Sequence, residues 1–341
     1  MVRRFVITAI AAVVLVALAI VGTWVIAAER VGDRVAAWSE RERTAGIIFT
    51  HGRIEVSGFP FMLAVAIDAP QLTTADGKRH WEAPRLTADA ALWDLHRFRY
   101  QVSGRHLYRF GGTPESPREI TIDMPSAAGT VEFANDAVRS LDLDAGAVRI
   151  SGSDPGEIAV ENLQLRYVTA GPSTDLKSDS ASLTLGARSL ALIGDANFTL
   201  LTQPIDRLSL ALAVTGPLPW AGDGAVLRWR DAGGTIELRD LALGWGGLAV
   251  AGNGTGALDD RMRPMGAFSF RFDGIDPTLK SLVDQGRMRG DDAVVLTNLV
   301  DGMTAADPVT PGRRILAVTA EGGVLKVGTL SLGTLEPLTM P

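Results

Sequence analysis

The stretch Phe268-Ser269-Phe270-Arg271-Phe272 sets the character of this chain. Every second residue is a large aromatic, and those between are polar or charged. An extended strand places such a series on one face; a helix would scatter it. The same alternation recurs outward from this point. Ile236 and Leu238 flank Glu237, and Leu183 and Leu185 flank Thr184. Leu163, Leu165 and Tyr167 alternate with Gln164 and Arg166, Leu141 and Leu143 with Asp142 and Asp144, and Ile54 and Val56 with Glu55 and Ser57. Strands that follow one another through glycine turns, such as Ala232-Gly233-Gly234 and Glu321-Gly322-Gly323, predict antiparallel sheet. Two runs, Phe61 to Ile67 and Leu208 to Val214, are apolar on both faces, with Ala64, Ala66, Ala211 and Ala213 on the second. They are expected as covered central strands, or as a sheet whose second face lines a groove for an apolar ligand.

Helices are few. Gly222 to Asp231 offers one or two turns. Asp276 to Met288 opens with Asp276 as N-cap and Pro277 as first helical residue, and Asp291 to Ala305 carries Val294, Val295, Leu299 and Met303 at helical spacing. Together they predict an αα-hairpin covering one end or face of the sheet.

The amino terminus has another character. Phe5 to Ala28 contains no charged side chain, and a helix of roughly 20 residues crosses a hydrocarbon core of about 30 Å. Arg3 and Arg4 precede the run, while Glu29, Arg30, Asp33 and Arg34 cancel after it. The positive-inside rule then leaves the amino terminus cytoplasmic and exports the remainder, with Trp24 at the far headgroup level. Residues 1–28 are thus expected to be an uncleaved transmembrane signal anchor, longer than the apolar core of a cleaved signal peptide. Residues 29–45 follow as a juxtamembrane helix, with Val31, Val35 and Trp38 on one side, read as a solvated connector. Residues 46–341 form a β-rich exported domain, with a division into two halves expected near 170–180, at Gly171-Pro172-Ser173.

Composition narrows the chemistry. Thirty-three basic against 39 acidic residues give a net charge of −6 over 341 residues, so no global basic field exists to hold nucleic acid. There is no cysteine, which removes disulfides, thiolate nucleophiles and cysteine-ligated metals. The four histidines, His51, His80, His96 and His106, have no compact metal spacing. No catalytic, metal or cofactor residue is therefore assigned.

Four motifs carry local physics. Gly58-Phe59-Pro60-Phe61 demands a kink, because glycine permits positive φ and proline removes a donor. Gly252-Asn253-Gly254-Thr255-Gly256 contains Gly-x-Gly, but no helix follows to meet a phosphate, so it reads as strand. Asp259-Asp260 and Asp291-Asp292 are adjacent carboxylates; in a strand such neighbours face opposite sides, and the second pair suits the positive end of a helix. Between His80 and Arg109, basic and aromatic residues interleave; Arg97, Arg99 and Arg105 are expected as outward, solvated side chains or as a patch for anionic headgroups.

Several stretches in order resemble one family. They are Ser57-Gly58-Phe59-Pro60-Phe61, Trp81-Glu82-Ala83-Pro84, Leu92-Trp93-Asp94, Trp229-Arg230-Asp231-Ala232-Gly233-Gly234, Leu243-Gly244-Trp245-Gly246, Ala251-Gly252-Asn253-Gly254 and Val327-Gly328-Thr329-Leu330. The series resembles the bacterial envelope family catalogued as domain of unknown function 2125. Gly58, Phe59, Pro60, Phe61, Trp81, Trp93 and Trp245 are its structural motif residues here. The resemblance implies a single-pass protein of the bacterial inner membrane, with its bulk in the periplasm and no assigned activity. A looser likeness of layout to AsmA-like envelope proteins adds an association with lipid traffic. The expected function is a non-enzymatic one, binding lipid or another amphiphile along an apolar sheet face. A scaffold or assembly factor for an envelope complex is the alternative, and a hydrolase the third reading.

Overall fold

The computed structural model describes residues 2–44, 46–113, 116–134, 137–152, 156–170, 178–193, 204–218 and 224–338. The first element, α1 (Val2–Thr44), is one continuous helix. It contains the expected membrane run, whose side chains from Phe5 to Ile20 lie outside the described residues; among the described residues no helix is long and apolar enough to cross a membrane. From Trp24 onward the half-buried positions are Trp24, Ala27, Ala28, Val31, Val35, Ser39 and Glu42. That spacing of three and four is one helix face. The Trp24 indole N–H donates to the Met62 carbonyl at 2.7 Å, and its ring meets Phe59 edge-on at 5.4 Å. The Trp38 ring meets Phe49 at 5.0 Å. Residues 29–44 are therefore not the solvated connector that their charge suggested. They form a docked helix, because Trp24 and Trp38, fourteen residues or nearly four turns apart, share one side.

The chain divides into two units. The first holds residues 1–138 and 145–154. One set of its antiparallel strands runs β2 (Ile54–Ser57), β3 (Met62–Asp68), β6 (Arg85–Ala91), β7 (Asp94–Gln101) and β10 (Ala127–Ala134). The other runs β1 (Ile47–Thr50), β4 (Gln71–Thr74), β5 (Arg79–Glu82), β8 (Gly104–Thr113), β9 (Ser116–Met124) and the last residues of β11 (Ala137–Gly152). The sets are joined along a seam, where each long strand is interrupted for two residues, at Ala69-Pro70, Ala83-Pro84, Val102-Ser103 and Pro125-Ser126. At three of these four breaks a proline, Pro70, Pro84 or Pro125, interrupts the ladder because it has no N–H to give. The remaining groups are satisfied across the seam: Ala69 N–H to Pro84 O at 2.9 Å, Ala83 N–H to Pro70 O at 3.1 Å, and Val102 N–H to Ala127 O at 3.0 Å. Pro70, Ala83, Ala127, Ala145 and His106 are buried along it, with the His106 Nε2 position 2.6 Å from the Val102 carbonyl.

The second unit holds residues 139–144 and 155–341. Its strands are β12 (Glu157–Thr169), β13 (Asp179–Ile193), β14 (Ile205–Thr215), β15 (Ile236–Trp245), β16 (Leu248–Leu258), β17 (Pro264–Asp273), β18 (Ala305–Ala306), β19 (Arg314–Glu321), β20 (Val324–Val327) and β21 (Leu330–Thr334). From β12 to β17, then through β19 to β21, each strand pairs antiparallel with the next, and β18 adds a short rung to β19. The division falls along β11 instead of near 170–180. Thr169 pairs with Ala181, so β12 and β13 are simply the arms of one hairpin; residues 171–177 lie outside the described residues.

Three helices complete this unit. In α2 (Ala225–Asp231), Trp229 is buried and donates its indole N–H to Thr215 O at 2.9 Å. The hairpin of α3 (Ile275–Asp284) and α4 (Gly290–Met303) forms, but only α3 packs with a buried residue, Leu282. The second helix, α4, has none and covers no sheet face, and the cap also differs from expectation. Asp276 lies in the first turn, and the N-cap position is Gly274 at φ 79°. A side chain there would collide with the Gly247 carbonyl, so close packing selects glycine over a capping side chain. Asp291 and Asp292 occupy the first turn of α4, where the helix dipole favours them.

An apolar sheet face as the candidate functional site

Cross-strand partners in an antiparallel sheet share a face. In the second unit one row reads Tyr167, Leu183, Leu212, Leu238, Gly254, Phe268 and Val318 from β12 to β19. The next reads Leu165, Leu185, Leu210, Leu241, Gly252, Phe270 and Leu316. A third holds Ala187, Leu208, Leu243, Val250 and Phe272. The opposite face mixes small and polar residues: Thr184 pairs with Arg166 and Ala211, Ser182 with Ala213, Glu237 with Ala213 and Thr255, and Thr319 with Lys326. The leucines and phenylalanines of the three rows are all half-buried. A broad apolar face is thus only partly covered.

Two devices keep that face continuous. In β15 the alternation changes phase, from Ile236 and Leu238 to Leu241 and Leu243. A bulge at Arg239-Asp240 absorbs the extra residue, so all four point the same way. Arg239 sits between Asp179 and Glu237, which raise its already high pKa by hydrogen bonding. In β16, Gly252 and Gly254 face the rings of Phe270 and Phe268, and a Cβ at either position would strike the ring. The Gly-x-Gly motif is a seat for two aromatic rings in mid-strand, in keeping with its reading as strand. The phase change was visible in the sequence and would have located Leu241 and Leu243; the rows themselves needed the registers.

The remaining motif residues occupy separate places. Trp245 ends β15 and lines a cavity of about 160 Å³ beneath α3, with Gly246, Pro277, Thr278 and Leu282. Trp81 is half-buried in the first unit, 5.9 Å from the His106 ring. Gly58 takes φ 97°, and a side chain there would press on the Met62 carbonyl. Phe59, Phe61 and Trp93 are exposed.

Arg97, Arg99 and Arg105 do not form one cationic patch. Arg97 lies directly across from Glu132 and bonds it at 2.5 Å, while Arg99 lies across from Asp89 and bonds it at 2.9 Å. Arg85 bridges Asp68 and Glu55, and its hydrogen bond holds the Glu55 carboxyl below the ordinary range. These are ion pairs between neighbouring strands on the wet face, already neutralised. Arg105 is on β8, beyond the seam from β7.

The histidines are dispersed. His51 and His96 are exposed, and His106 is in the seam. His80 has its Nδ1 position 2.9 Å from Thr73 Oγ1 and its Nε2 position 3.2 Å from Glu82 Oε2. The backbone of β4 and β5 around this trio is paired on both sides, to β1 and β8. Thr73 and His80 are direct cross-strand partners, so the trio is a polar rung across two strands. Among the described residues no group of three or more metal-ligating side chains gathers. Asp259 instead organises the β16–β17 turn: its carboxylate accepts the N–H groups of Arg261 and Arg263 and the Arg263 guanidinium, which holds its pKa below the ordinary value.

No curated protein and no solved structure matches this chain. Residues 24–336 match the family described as "Uncharacterized protein conserved in bacteria (DUF2125)". That match runs from Trp24, the first tryptophan docked on the sheet, to beyond the last strand, so this chain belongs to the DUF2125 family.

Proposed function

We propose that this protein is held in the bacterial inner membrane by residues 5–28, with its amino terminus cytoplasmic and its bulk periplasmic. There, without catalysis, it binds lipid or another amphiphile along the apolar face of its second unit. The observation that carries this reading is the half-buried state of three apolar rows running across the sheet. Contiguous apolar surface of this kind is costly to leave in water and marks a binding surface. An acyl chain laid across it would gain about 0.8 kcal/mol for each methylene removed from water. The opposite face differs in kind: small residues such as Ala211 and Ala213 stand there among polar side chains and the Arg239–Asp179 and Arg239–Glu237 ion pairs. The likeness of layout to AsmA-like proteins agrees with this reading as an analogy only.

The test uses the full chain in proteoliposomes containing a phospholipid with a photoreactive acyl chain. We expect crosslinks on β14, β15 and β17, at peptides containing Leu210, Leu241 and Phe270, in addition to α1. Crosslinks confined to α1 would reject the binding face and leave the anchor standing.

A scaffold role is the second reading, and α4 favours it. That helix has no buried residue and exposes Val294, Val295 and Leu299. Specific protein crosslinks through these three side chains, without lipid crosslinks on the sheet, would select it.

A further inference from the structure

We propose that Phe59, Phe61 and Trp93 form an aromatic collar that rests in the headgroup layer of the bilayer, seating the first unit on the membrane. The inference builds on the membrane-anchored reading above. These three side chains are 55%, 55% and 77% exposed. Phe59 and Phe61 come from the β2–β3 turn and Trp93 from the β6–β7 turn, which are distant in sequence but adjacent in the sheet. Met62 pairs with Ala91, and the Leu92 N–H donates to the Phe61 carbonyl at 2.9 Å. The tips, residues 58–61 and 92–93, contain no charged side chain. The far end of the same strands is the β4–β5 turn, where Asp76 and Lys78 form an exposed ion pair. One end of the strand system is thus aromatic and the other charged.

The position of α1 identifies the occupant. Trp24 packs on Phe59 and donates to Met62, so the helix leaves the sheet at the aromatic end. From Phe5 to Trp24 is twenty residues, or about 30 Å of helix, the thickness of a hydrocarbon core. If the run spans, Trp24 falls at the interface, and the turns that touch it fall at the same depth. Aromatic side chains are favoured at that depth, where rings are shielded from water beside polar headgroups. The Trp24 N–H is already satisfied by a protein carbonyl and needs no water. Phe59 ties the collar to α1 through its edge-on contact with Trp24, and all three collar rings remain largely exposed. The neighbouring Arg97 and Arg99 are bound to acidic partners, so the lipid contact is apolar and insensitive to headgroup charge.

The absence of cysteine allows one label per chain. Trp93→Cys, Phe61→Cys, Lys78→Cys and Ala12→Cys, each carrying an environment-sensitive fluorophore, are reconstituted as full chains in phosphatidylcholine vesicles with nitroxide lipids. Circular dichroism confirms that each variant is folded. We expect blue-shifted emission at positions 93 and 61, with quenching by shallow nitroxide stronger than by deep nitroxide. Position 78 should show neither, and position 12 should be quenched by the deep probe. Labels at 93 and 61 that behave like that at 78, with 12 quenched, would overturn the collar and leave the anchor intact. A label at 12 that escapes quenching would remove the anchor reading and the collar with it.

Discussion

At Gly252 and Gly254 the neighbouring strand uses the absence of a side chain: Phe270 and Phe268 lie where a Cβ would be. A valine at either position forces a ring aside in a packed row, and overpacking of this kind typically costs about 1–3 kcal/mol. We expect Gly252→Val to lower stability by that amount in equilibrium unfolding of the full chain, and Gly244→Val, where nothing lies within 4 Å, to lower it by less. Equal effects would dismiss the ring seat. Asp259 acts by charge. Its carboxyl, held low by Arg263, and that of Glu55, held low by Arg85, have folded pKa values below their unfolded ones. Their contribution is complete above the unfolded values, near pH 4, and disappears as pH falls through the folded ones. Stability should therefore be flat from about pH 7 to 5 and fall below about pH 4, with a smaller acid loss in Asp259→Asn; pH-dependent unfolding measures both.

Among the elements, α1 departs furthest from its sequence reading. Charges at Glu29, Arg30, Asp33 and Arg34 suggest a helix surrounded by water, yet Trp24 and Trp38 fasten it to the first unit. A double-mutant cycle on Trp38→Ala and Phe49→Ala should give a coupling of about 0.5–1.5 kcal/mol, as an edge-on aromatic pair does. Zero coupling would return the segment to the status of a connector. The period of three and four was readable in α1, but its target was not, because Phe49 and Phe59 reach the helix only through the folding of β1 and the β2–β3 turn. A similar limit applied to Arg97 and Arg99. Their outward direction followed from alternation, while their partners Glu132 and Asp89 depended on register.

Across the full chain, residue order already specifies strand as the dominant element, the antiparallel pairing, the positions of the α3–α4 hairpin, and the family. All of these rest on local signals: period two, glycine turns, helix spacing and the order of short motifs. The division along β11, the seam where Pro70 and Pro84 face each other, the docking of α1 and the joining of separate apolar strands into one face emerge only on folding. Each depends on which distant residues become neighbours, and register fixes that. A strand with Leu210 and Leu212 on one side has an apolar edge in any fold. Only the alignment of β12 to β19 gathers such residues into one apolar face, because cross-strand contacts are set by long-range pairing that no single strand encodes.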